Sequence, residues 1–196
     1  MDARTLFLAR YDPLRRLYLD ALWDRLNEDQ LRRHPGPGLN SIAWNLWHVS
    51  RAEDVGINRF VADRPQVLDG EQWLERLGVG VRHQGTGQTA DEAAKISTSV
   101  NIVALREYTK RIEDRTREVL ASVDAAVLES ALEPATINRV VFREGFAHSN
   151  AAWIEKAYAG WSRGKCLIHF ALTHTYQHVG EIAVLASLQG ADAFGF

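Results

Sequence analysis

Residues 165–190 read KCLIHFALTHTYQHVGEIAVLASLQG, and at 100° per residue Leu167, Phe170, Ala171, His174, His178, Glu181, Leu185 and Leu188 fall on one stripe. Ser162 can cap this helix and Gly190 can stop it, so the sequence predicts one long helix reaching about Gln189. The stripe is apolar at both ends and faces a core, yet its middle holds two imidazoles and a carboxylate. Burying such groups without partners costs about 1–3 kcal/mol each. An ion, a network or a water must therefore meet them, and other helices must cover the stripe.

Working outward, residues 5–26 place Leu6, Leu14, Leu17, Leu19, Leu22, Trp23 and Leu26 at helical spacings, with Pro13 marking a kink or a late start. Asn40 or Ser41 can cap a second helix over about residues 42–62. Residues 63–90 hold five glycines, with one short helix around 72–77, and read as a long crossover able to cover a site. Thr89 or Asp91 opens a third helical stretch running to Val123, its outer face laced with opposite charges. A short helix over 124–132, a linker carrying the apolar run of TINRVVFREGFAH, and a short helix over 150–158 complete the pattern. The predicted fold is all-α: one domain over residues 1–196, a four-helix bundle with long crossover connections plus short accessory helices. The crossover of roughly 28 residues spans a bundle's length, which argues against simple up-down-up-down order.

The 196 residues are 46% hydrophobic, and 23 Lys+Arg against 25 Asp+Glu leave a formal charge of −2. That balance is globular and suggests no nucleic-acid partner, since no basic cluster stands free of acids. No run of about 18 apolar residues suggests a membrane span. Cys166 is the only cysteine, so an internal disulfide and a Cys-rich zinc site are excluded, and a reducing, cytoplasmic setting is expected.

His174 and His178, four apart, stand about 40° from one another on the helix, so both rings can reach one ion. A third ligand must come from elsewhere. The strongest candidate is His48 in NSIAWNLWHVSRAED, flanked by Trp44 and Trp47. Three imidazoles would leave open positions, at which a bound water's pKa falls toward ~7 or a thiol binds as thiolate. The rival explanation is that these are core histidines bonded to carbonyls or water.

The segments NSIAWNLWHVSRAED and HTYQHVGEI resemble the DinB/YfiT-like superfamily of small four-helix metalloproteins. Length and helix order are also similar to that family. The resemblance implies a triad of His48, His174 and His178 holding a divalent metal, commonly zinc or nickel, in a bundle of non-simple topology. Its members include bacillithiol and mycothiol S-transferases and a mycothiol-dependent maleylpyruvate isomerase, so a small-molecule thiol or electrophile is the implied partner and a homodimer is common. The resulting expectation is a metal-dependent thiol S-transferase or hydrolase. The alternatives are a non-catalytic metal- or ligand-binding stress-response bundle, and an interaction module whose histidines are only hydrogen-bonded core groups.

Among the other candidates, Glu181 points the right way to orient a ligand, act as a base or be a fourth ligand. Glu53 and Asp54 are expected in surface or helix-to-helix pairing. Arg51 is expected to be solvated, with an anionic carboxylate as its functional alternative. Cys166 reads as a small core residue, His148 as a loop histidine or one at a pocket mouth, and His34, His83 and His169 lie off the ligand stripe. Trp23, Trp44 and Trp47 are explained by packing.

Overall fold

A computed structural model describes residues 2–195 of the chain. Four long helices form the bundle, as the apolar periodicity predicts. The first runs through Ala3–Pro13, Leu14–Asp20 and Ala21–Arg25. Asp2 caps it, so Pro13 lies inside the helix rather than before its start. The second comprises Ile42–Val55 and Gly56–Val61, with the Ser41 hydroxyl accepting from the Trp44 amide. The third long helix is Ile102–Ser122. The fourth runs through Arg163–Ile168, His169–Thr173 and His174–Ser187.

Cross-helix pairs fix the directions. Arg4 reaches the Ala121 carbonyl and Arg106 reaches Asp24, so the first and third helices are antiparallel. Ser50 meets Thr109 and Glu53 meets Thr116, so the second and third are parallel. Asn45 meets His178 while Gly56 packs on Phe170, so the fourth is antiparallel to the second. The order is up, down, down, up. The parallel step needs the long crossover, which helix two itself pins. Asp54 takes the amides of Val67 and Leu68, and Arg51 donates to the Gln66 side chain and the Arg82 carbonyl.

Three local expectations are corrected. The stretch expected to run unbroken to Val123 divides into Ala90–Ser99 and Ile102–Ser122, because Val100 is extended and the Asn101 side chain caps the restart. The apolar run expected as linker is helical over Pro134–Asn138 and Arg139–Arg143, where burial of Ile137, Val140 and Val141 overrides their β-branched preference. The third concerns phase. His169–Thr173 is a wide π turn in which the His174 amide reaches back five residues to the His169 carbonyl. One wheel therefore does not describe the whole fourth helix. Beyond the turn the buried residues are Thr175, Val179, Ile182, Leu185 and Ala186, so Leu185 of the predicted stripe is in the core while Leu188 is exposed.

Among the described residues no strand forms beyond one isolated bridge, Ala131 to Ser162, and no helix is long and apolar enough to cross a membrane. Helices two and four approach so closely that a Cβ on Gly56 would lie 2.1 Å from Phe170. That contact brings the histidine-bearing turns together one helical stretch away.

Candidate metal centre

His48 lies two turns into helix two and is 3% exposed. Its ring stacks on Trp44 at 4.7 Å with planes 10° apart, which fixes the ring's plane. Its Nδ1 faces the carbonyl of Gln84 in the crossover. A carbonyl only accepts, so Nδ1 carries the proton and Nε2 presents a lone pair. The crossover itself is seated by the Gln84 amide donating to the Phe146 carbonyl. At the next residue, Gly85 has φ +102°, and a Cβ there would fall 2.7 Å from Trp47 and 2.9 Å from Trp44. Only glycine combines this backbone with so close an approach to both indoles.

The π turn delivers His174 and His178 to the same place from helix four. The Nε2 atoms of His48 and His174 are 3.1 Å apart, close to the ~3.3 Å edge expected for two imidazoles sharing a tetrahedral zinc. The His178 ring centroid is 4.7 Å from that of His48 and 4.6 Å from that of His174. The His178 Nδ1 meets Asn45 Oδ1 and Glu181 Oε2, both at 2.8 Å. Two acceptors there again leave Nε2 bare and aimed inward. One ring nitrogen from each residue lies within 4.8 Å of the others, and this is the sole such grouping of His, Cys, Asp and Glu among the described residues.

Burial is the first cause of the histidines' neutrality. With the repulsion of His178 it lowers His48 to about 3. For His174, burial followed by His48, His178 and His169 gives about 2. His178 is lowered by burial as well, with Glu181 pulling the other way. Neutral imidazoles are the protonation state a divalent cation requires, and the acceptors at Nδ1 leave the Nε2 of His48 and of His178 free for one. The Nδ1 of His174 is buried with no protein partner. Such a set fits a cation held between the helices, and its acceptors at Gln84, Asn45 and Glu181 are those that orient imidazole ligands in metal sites. The rings open onto a cavity of ≈ 770 Å³ lined from the crossover, the 34–40 segment and both helices.

The other sequence candidates fall elsewhere. Glu181 touches His178, in keeping with an orienting role. Arg51 is not solvated but 1% exposed, paired with Asp54 at 2.9 Å and bonded to Tyr108. Glu53 is buried too, accepting from Tyr11, Thr116 and Arg15. Cys166 is fully buried, and its thiol is pushed up to about 12 by burial, which suits a core residue. His148 caps the 149–151 turn and meets Glu92 rather than lining the cavity. His34 does line it, with Nδ1 on the Leu39 carbonyl. His169 is not remote: the π turn places its ring 5.6 Å from that of His174. Asn45, Gln84 and Gly85 were not singled out from the sequence. Asn45, three residues before His48 on the same helix face, carried the one readable signal.

The family model of the DinB superfamily matches residues 14–182. A crystal structure of a conserved protein from Enterococcus faecalis superposes with a TM-score of 0.70, covering 96% of this chain and 97% of that one at 16% identity, which shows a shared fold. No curated protein sequence matches the chain.

Proposed function

The chain belongs to the DinB superfamily, and from that premise we propose that it is a cytoplasmic divalent-metal enzyme of the low-molecular-weight-thiol S-transferase or hydrolase kind, with His48, His174 and His178 as the ligands and zinc or nickel as the metal. The observation that carries this reading is the convergence of three neutral imidazoles, His48 buried and His174 and His178 partly so, at a wall of the cavity. A structural metal would be closed off by a fourth protein ligand, whereas here the fourth direction is the cavity. When bound, the cation supplies a Lewis acid that lowers the pKa of a thiol or water beside it.

The protein's own groups supply the rest. Gln84 and Asn45 hold the rings of His48 and His178 in one tautomer, and Trp44 fixes the plane of His48. Glu181 stands half in solvent beside His178 at the cavity wall, where its carboxylate can receive a proton from an entering thiol or water and pass it to bulk.

The test is metal content per chain by elemental analysis of untagged protein, comparing the wild type with His48→Ala and His174→Ala. The expected result is near-stoichiometric metal in the wild type and its loss in both variants. A wild type that stays metal-free after incubation with Zn²⁺ or Ni²⁺ removes the enzyme reading and leaves the hydrogen-bonded core explanation. A thiol-consumption assay with a small electrophile then separates an S-transferase from a metal store.

A further inference from the structure

We propose that the cavity in front of the triad selects ligands whose remote end is uncharged or cationic and discriminates against those carrying remote carboxylates or phosphates. This inference rests on the metal-centre reading and adds the ligand class. Every formally charged side chain along the cavity, histidines aside, is a carboxylate: Asp91 from the start of the 90–99 helix and Glu181 from helix four. Between them stand the amides of Asn40, Gln88 and Gln177, which can donate to or accept from hydroxyls and amides. The Gln88 side-chain oxygen already accepts from the indole of Trp44 at 2.9 Å, leaving its amide protons for a ligand.

Arg33 and Lys95 are exposed beside the cavity but are not among the residues that line it, and the half-buried Arg32 is turned to another task. Arg32, two residues before His34, donates to the carbonyls of Ser97, Thr98 and Val100 and to Glu28. A backbone feature that would favour an anion is the N-terminus of the 90–99 helix. It is already capped: the Glu92 amide donates to the Thr89 hydroxyl, the Thr89 amide donates to the Glu92 carboxylate, and Asp91 and Glu92 put two carboxylates in its first turn. A cation on the triad attracts the donor atom that reaches it, whereas Asp91, which holds none of the triad's rings, reads the charge at the far end of the molecule. The cavity, at ≈ 770 Å³, is large enough for that far end to lie inside it.

The experiment uses cobalt-loaded protein and three acetylated, amidated tripeptides, Cys-Gly-Lys, Cys-Gly-Gln and Cys-Gly-Glu, alike in size and thiol. Calorimetry reads affinity, and the thiolate-to-cobalt absorption band reads contact of the sulfur with the metal. The Glu peptide is expected to bind about 10-fold more weakly than the Gln peptide, equivalent to about 1.4 kcal/mol, with the gap shrinking at high salt. The Lys peptide should equal or exceed the Gln peptide. Asp91→Asn should narrow the gap and Asp91→Lys should reverse the order. Equal binding of the Glu and Gln peptides, an unchanged order in Asp91→Lys, or no binding of any peptide overturns the selection. Binding in the expected order without the absorption band keeps the selection and overturns the thiol reading.

Discussion

Helix two carries two buried polar clusters separated by barely one turn, and they are built on opposite terms. In the turn holding Arg51, Glu53, Asp54 and Asn58, charges are matched within the protein. The Asp54 carboxylate accepts from Arg51, Tyr108, Asn58 and the amides of Val67 and Leu68. Around Asn45 and His48, the outward nitrogens of His48 and His178 are bonded, that of His174 has no protein partner, and the Nε2 atoms of His48 and His174 face one another. The first arrangement pairs its charges without a ligand and ties the crossover to the bundle, although Arg51 Nε and Asn58 Oδ1 are buried without a partner. The second brings three neutral rings together with no charge to match them, which is why buried polar groups alone do not mark a site: both clusters hold unpartnered atoms, and what separates them is the matching of charge.

The comparison breaks most sharply at Asp54. Asp54→Ala leaves the Arg51 guanidinium buried and uncompensated, so the variant is expected to lose about 3–5 kcal/mol in urea unfolding. His174→Ala, measured on metal-free protein, should change stability by no more than about 1 kcal/mol, since it also removes a buried, unpartnered nitrogen. If His174→Ala were as damaging as Asp54→Ala, the triad would be a structural network of the same kind as its neighbour.

Acid sharpens the contrast. His48 and His174 are lowered from 6.5 to about 3 and about 2 by burial first, so below pH 6.5 the unfolded chain takes protons that the fold refuses. Their contribution is present above pH 6.5 and is lost as pH falls toward the folded values, at up to about 1.4 kcal/mol per pH unit for each imidazole. Glu53 acts in the opposite sense, because burial raises its pKa and acidification toward 4.5 favours the fold. Chelator-treated wild type should therefore unfold at lower urea at pH 5.5 than at pH 7, and His48→Asn should flatten that dependence. A pH profile identical in wild type and His48→Asn would show that the fold does not lower the pKa of His48.

Much of this was legible in the sequence. The four long helices follow from apolar spacing, the non-simple topology from the length of the 63–90 segment, and two of the three histidines from their i, i+4 relation. The π turns left no sequence signature, so the wheel carried Leu188 into the core and His169 away from His174. Arg51 was misjudged for a different reason: its partners Gln66, Arg82 and Tyr108 lie on other elements, and no local pattern announces a partner supplied by the topology. The same holds for the Gln84 carbonyl, a backbone group whose identity as a residue carries no information.

That backbone group offers the smallest and most discriminating change. Gly85→Ala leaves every histidine of the triad and every charge of helix two untouched, but its Cβ would meet Trp47 at 2.7 Å and its φ of +102° disfavours any side chain. The crossover must lift, and the Gln84 carbonyl withdraws from His48. Outer contacts of this kind typically change metal affinity by about 10–100-fold, so the expected result, read by competition with a chromophoric chelator, is about tenfold weaker binding with stoichiometry kept. The Arg51 and Asp54 cluster grips the crossover at Gln66, Val67, Leu68 and Arg82, ahead of Gly85, so urea stability should fall by far less than in Asp54→Ala. Unchanged affinity in Gly85→Ala would mean that the Gln84 contact does not orient His48, and the division between a charge-matched cluster and a ligand-seeking one would then rest on the side chains alone.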